Sequence, residues 1–140
     1  MAALELHHEQ FGEGPDLVIL HGLFGSGNNW RSFAKNLSKE FRISLLDLRN
    51  HGKSPHSEEM DYVLMLEDVL LFLEQKTTGN VSVLGHSMGG KVALLFAEKY
   101  PKYLNKLIVA DIGIKAYPMH HDEILRGLNS VNLQEISSRN

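Results

Sequence analysis

Four short apolar runs punctuate the first 110 residues, and each ends where the side chains turn polar or disappear. DLVIL at 16–20 stops at His21 and Gly22, and FRISLL at 41–46 stops at Asp47 and the turn Asn50, His51, Gly52. VSVL at 81–84 stops at Gly85, and LIVA at 107–110 stops at Asp111. Runs with so little alternation suit strands buried on both faces of a parallel sheet. Helical patterns fill the gaps. Asn29 is positioned to cap a helix carrying Trp30, Phe33 and Leu37. Asp61 is positioned to cap a second, in which Tyr62, Leu66, Val69 and Leu73 recur along one face. A third, with Val92, Leu95, Phe96 and Lys99, is stopped by Pro101. Strand, helix and strand in repetition predict right-handed crossovers and an α/β fold: a mostly parallel sheet with helices on both faces. The segment at 4–11 alternates instead and reads as an antiparallel edge strand, followed by the turn Gly12-Glu13-Gly14-Pro15. After Asp111 the pattern changes: 114–118 reads as loop and 122–131 as one more helix. The expected division is a core over 1–116 and the start of a cap or lid over 117–140.

Composition narrows the function classes. The 140 residues are 43% hydrophobic and 22% charged, ordinary for a globular domain with a core. A net charge of −3 with both signs mixed along the chain argues against nucleic-acid binding. There is no cysteine, so disulfides, thiolate metal sites and a cysteine nucleophile are excluded from these residues. The apolar runs are too short to span a bilayer. The start MAALELHHEQ lacks the apolar stretch of a signal peptide, so a cytoplasmic or organelle-matrix location is expected. The His7–His8 pair lacks the further ligands a metal site requires, and no metal is expected.

The chemistry concentrates at three strand ends. Gly85-His86-Ser87-Met88-Gly89 matches G-x-S-x-G between a predicted strand and a predicted helix, where a sharp turn lifts the Ser87 hydroxyl clear of the sheet. Glycines at 85, 89 and 90 let strand and helix approach. The helix start brings free N–H groups and a positive dipole end to the reacting carbonyl. The bland alternative is an ordinary serine in a Gly-rich turn. His21-Gly22-Leu23-Phe24-Gly25-Ser26-Gly27 follows the first long strand and lies beside Ser87 if the two strands are neighbours. Met88 N–H is the natural first oxyanion donor and Leu23 N–H the second, with Phe24 as the fallback. His21, Gly22, Phe24 and His86 are expected at the bound substrate, His21 shaping the loop rather than acting as base. No G-K-[ST] follows this Gly-rich loop, which argues against a phosphate loop. The third segment, Asp47 to Ser54, reads as a turn held by Asp47 and Arg49, with no catalytic role for Asp47, His51 or Ser54.

HGLFGS, DLRNHGKS and GHSMGGK, in this order and spacing, resemble the α/β-hydrolase fold. With VADIGI at 109–114 and HHDEIL at 120–125, the chain is similar to the YbfF-type bacterial esterases and their mitochondrial relatives over essentially its whole length. That resemblance implies a serine esterase that needs no cofactor and acts on a small-molecule acyl ester, with Asp111 as the acid that orients the catalytic histidine. Capping of the next turn is the alternative role for Asp111. The resemblance places the histidine itself beyond residue 140, and His120 and His121 do not match its position. By themselves, these residues are therefore expected to turn over esters poorly, with 107–110 left as an apolar sheet edge. Thioester hydrolysis or another acyl transfer on the same machinery remains open, as does a non-catalytic binding module. The oligomeric state is not readable.

Overall fold

The computed structural model describes residues 2–113 and 122–130. Five strands form one sheet in the order β1-β3-β2-β4-β5: β1 His8–Phe11, β2 Asp16–Leu20, β3 Arg42–Leu46, β4 Val81–His86 and β5 Leu104–Ala110. All pairings are parallel except that of β1 with β3. The helices are α1 Arg31–Leu37, α2 Tyr62–Lys76, α3 Met88–Lys99 and α4 Asp122–Asn129, with 3₁₀ turns at Gly27–Trp30 and Pro101–Tyr103. The alternation expected from the sequence is present, element by element, through β5.

Strand order explains the layering. The chain leaves β2 for β3 on one side, then crosses back to β4 on the other and continues outward to β5. Right-handed crossovers in opposite directions put their helices on opposite faces. Accordingly, Ala34 of α1 packs with Leu17, Ile19, Ile43 and Leu45 on one face. On the other face, Leu66, Val69 and Leu73 of α2 and Val92 and Phe96 of α3 pack with Val18, Leu20 and Val83. The chain direction reverses between β2 and β4, and ligand crevices of open α/β sheets lie at the carboxyl end of such a point.

Two local expectations need correction. Asn29 does not cap α1. Ser26 begins the 3₁₀ turn, and Asn29 Oδ1 accepts from Ser26 N–H at 2.8 Å, a reciprocal arrangement that starts the helix one turn earlier. Tyr62, assigned to the buried face of α2, is exposed because it occupies the first turn, beyond the sheet. Strand β5 is an edge of the sheet among the described residues, with Ile108 48% exposed, as expected for 107–110. The Asp61 cap is as expected, its carboxylate accepting from Leu64 N–H at 2.7 Å. Most of 117–140 lies outside the described residues.

The turn after β3 is fastened from inside. Asp47 Oδ1 accepts from Gly27 N–H at 2.7 Å, and Oδ2 accepts from Lys53 N–H at 2.8 Å. Arg49 is buried against Asp68 of α2, with Nε and Nη2 each donating to a carboxylate oxygen at 2.7 Å. That pairing holds the guanidinium above its ordinary pKa. Asp68 also accepts from Leu4 N–H at 2.7 Å, so one carboxylate ties the N-terminal segment to the β3 turn. Asp68→Ala leaves a buried guanidinium unpaired and is expected to lower the unfolding free energy by about 3–5 kcal/mol. Urea denaturation measures it. A loss below about 1 kcal/mol would mean that water reaches Arg49 and the pair behaves as a surface one.

Candidate active site

Register brings the singled-out residues to one end of the sheet. Leu20 is level with Leu46 on one neighbour and Gly85 on the other, and His86 is level with Ala110. His21, Asp47, Ser87 and Asp111, just past those positions, therefore emerge along the same edge. Ser87 stands between β4 and α3 with φ 51° and ψ −116°. A non-glycine residue rarely adopts this backbone, and such strain persists only where the surroundings enforce it. Two hydrogen bonds do so. Ser87 N–H donates to Ala110 O at 3.0 Å, and Gly89 N–H donates to His21 O at 3.1 Å. The glycines permit the close approach: a Cβ on Gly89 would collide with the Leu20 carbonyl, and one on Gly85 with the backbone of Gly89 and Gly90.

Between those two occupied amides, Met88 N–H has no partner among the described residues, and no intrahelical acceptor exists at the first position of a helix. Leu23 N–H has none either. The loop that carries Leu23 lies against the serine, since a Cβ on Gly22 would sit 3.3 Å from Ser87 Cβ and 3.0 Å from His86 Nδ1. It is a tight turn, with Gly25 N–H on Gly22 O at 3.0 Å and Phe24 at φ 61°.

His21 holds this loop from below. Its ring is buried; Nδ1–H donates to Gly22 O at 2.8 Å, and Nε2 accepts from Leu48 N–H at 3.0 Å. This pattern requires the neutral ring with its proton on Nδ1. Both nitrogens are engaged, so His21 lines the cleft beside Ser87 without offering a substrate a free polar atom. Burial pushes its pKa below 6.5. The Gly22 bond works against this, the neighbouring His51 adds to it, and Asp47 opposes it. The sign follows from proton counting: the unfolded chain binds a proton near pH 6.5 that the folded ring resists. Stability from His21 is complete above that pH and declines as pH falls through 6.5 toward the lowered folded value. The melting temperature should drop on acidification from pH 8 to 5, and the drop should be shallower in His21→Asn. Parallel curves for the two proteins would remove His21 as the titrating group.

Asp111 follows β5 directly, with φ 58° and 86% side-chain exposure, and its Oδ2 lies 3.6 Å from His86 Nε2. Its neighbour Ala110 receives the Ser87 N–H, so acid and serine are held at adjacent strand ends. Gly22, Phe24 and His86, expected at the substrate, line an open cleft of about 620 Å³ together with His21, Leu23 and Gly25. Its other wall was not singled out from the sequence: Asn29, Trp30, Ser32 and Phe33 of the 3₁₀ turn and α1. Apolar positions at helical spacing look alike whether they face a core or a cleft. His120 and His121 lie outside the described residues. Among the described residues, no cluster of three or more metal-ligating side chains occurs, and no helix is long and apolar enough to cross a membrane.

Comparison with known proteins agrees with the fold. A family model described as the alpha/beta hydrolase fold matches residues 15–131. Esterase YbfF of Escherichia coli is 34% identical over 88% of this chain and 49% of its own length. The sn-1-specific diacylglycerol lipase ABHD11 of Danio rerio is 45% identical over 73% of this chain and 33% of its own. A solved structure, a marine microorganism esterase, superposes with a TM-score of 0.90 at 42% identity, covering 98% of this chain and 55% of that one. The chain thus spans less than half the length of these curated relatives. With the family model covering most of the sequence and the sheet order, serine turn and helix layers in agreement, the chain belongs to the α/β-hydrolase fold family.

Proposed function

We propose that the protein is a serine-dependent hydrolase of carboxylic esters that works through an acyl-enzyme. The observation that carries this reading is the conjunction at Ser87: a strained serine at a helix start, flanked by the N–H groups of Leu23 and Met88, which have no partner among the described residues. In this mechanism Ser87 Oγ attacks the ester carbonyl carbon and its proton passes to a histidine base outside the described residues. The carbonyl oxygen becomes an oxyanion held by Leu23 and Met88 N–H. Collapse expels the alcohol, which takes the proton from the histidine, and leaves the acyl group on Ser87. Water then attacks the acyl carbonyl, gives its proton to the same base, and releases the acid as the proton returns to Ser87. Asp111 orients the base and stabilises its charged form. No step uses a cofactor. The similarity to an esterase, and to a lipase of diacylglycerol, supports acyl-ester chemistry.

The direct test is a fluorophosphonate probe on the product of the full reading frame, followed by peptide mass spectrometry. Stoichiometric modification of Ser87 is expected. Modification of another serine, with Ser87 untouched, would overturn the assignment. Paired oxygen esters and thioesters of one acyl group then measure which leaving group the site prefers.

A further inference from the structure

The cleft beside Ser87 has a composition that its position does not require. None of its lining residues among those described is Asp, Glu, Lys or Arg. Aromatic rings follow one another along one side. His86, next to Ser87 in the chain, meets the Trp30 ring edge-on with centroids 5.9 Å apart, and Trp30 meets Phe33 in the same way at 5.5 Å. Two ring-to-ring steps thus lead from the nucleophile to the exposed start of α1. Across from them the loop presents Leu23 and Phe24. Leu23 and Phe33 are each 39% exposed and Phe24 is 59% exposed, so large apolar surfaces border an open space beside the serine.

We propose that this cleft is a specificity pocket for an uncharged apolar group of the ester, aliphatic of medium length or aryl, with Trp30 and Phe33 as specificity-determining residues. The proposal rests on the reading of Ser87 as nucleophile. The pocket rewards apolar surface removed from water. It offers a charged group no counter-charge among the described lining residues, although the Asp111 carboxylate stands beside His86. The same chemistry can belong to the acyl chain or to the leaving alcohol, and the cleft runs alongside Ser87 rather than over it, since His86 lines it and Ser87 does not. Of the polar atoms nearby, Asn29 Oδ1 is engaged by Ser26 N–H and both His21 nitrogens by backbone groups, so these three offer a ligand no hydrogen bond.

Trp30 supplies its own reporter, being the single tryptophan of the 140 residues. Its fluorescence is titrated with 2-decanone and 2-butanone, ketones that mimic the ester carbonyl but carry no leaving group. A saturable change with 2-decanone, absent with 2-butanone and absent in Trp30→Phe, is expected. Phe33→Ala should weaken the apparent affinity about tenfold, and Phe33→Leu should restore most of it. Phe33, unlike Trp30, does not pack against the buried core, so its truncation leaves the fold in place. Kinetics on the product of the full reading frame separate the two sources. In Phe33→Ala, kcat/KM for p-nitrophenyl octanoate relative to acetate falls about tenfold if the pocket takes the acyl chain. The ratio for 1-naphthyl butyrate relative to methyl butyrate falls instead if it takes the alcohol. Absence of a saturable Trp30 response, or a Phe33→Ala protein within about twofold of wild type in affinity and both ratios, overturns the proposal. A Trp30 response as described, in a protein that turns over no ester, leaves the apolar pocket standing and rejects the hydrolase reading instead.

Discussion

Ser87→Ala, made in the product of the full reading frame, is expected to lower kcat for any ester by about 10⁴-fold or more. The substitution removes the attacking oxygen and leaves Leu23 N–H, Met88 N–H and the cleft in place, so residual turnover comes from binding and oxyanion stabilisation alone. Because kcat falls while substrate still docks, KM should move little. The backbone at this position is held at φ 51° by the Ala110 and His21 carbonyls, which accept from the backbone N–H groups of Ser87 and Gly89, so alanine is carried in the same strained turn. Unchanged far-UV circular dichroism and thermal midpoint would establish that. Hydrolysis of a p-nitrophenyl ester at near wild-type rate would remove Ser87 from the mechanism, whatever its geometry.

The second large effect is expected at Asp111. An asparagine there keeps size and shape but presents an N–H₂ where, in the proposed mechanism, the histidine's Nδ1–H needs an acceptor, which favours the wrong imidazole tautomer. A fall in kcat of about 10²–10⁴ is expected, with the stronger loss if the carboxylate is fully desolvated when the base packs over it. At present it is 86% exposed, with His86 Nε2 as its neighbour at 3.6 Å. A structural role alone would act through stability, so the discriminating readout is kcat at unchanged thermal midpoint. If Asp111→Asn stays within about fivefold of wild type while a carboxylate elsewhere is indispensable, the acid has been misassigned.

The strands were legible because burial on two faces leaves unbroken apolar runs, and DLVIL and VSVL are such runs. Side-by-side placement of the HGLFGS loop and the GHSMGG turn followed from taking β2 and β4 as neighbours, and the register bears out that pairing. LIVA has the composition of the interior strands, and its place at an edge among the described residues, with Ile108 exposed, matches what the resemblance implies for 107–110. Long-range partners were less legible. Arg49 was read as holding its own turn. Its partner Asp68 sits 19 residues later in a helix whose periodicity shows only its apolar stripe. Of the residues expected in the first helix, Phe33 lies in α1 and Trp30 in the 3₁₀ turn before it, and their apolar spacing does not tell a face that closes a core from one that opens on a cleft. Ser26, with Asn29 answering it, displaced the expected cap because the reciprocal pair satisfies more donors than Asn29 alone.

The strand order has a consequence for how the chain is made. The central strand β2 finishes at Leu20, and its partner on one side, β3, is complete by Leu46. Its other partner, β4, pairs Leu17 with Ser82 and Leu20 with Gly85. A ribosome adds about 5–20 residues per second, so the side of DLVIL that faces β4 stays unpaired for several seconds after it leaves the exit tunnel. During that interval β1, β2 and β3 can associate through local contacts, but the serine turn cannot form, because its restraints at His21 and Ala110 lie on either side of it in the sequence. The serine turn thus forms only after β5 has been made. A nascent chain arrested before residue 110 should present β2 as a ready ligand for chaperones that bind short apolar extended segments.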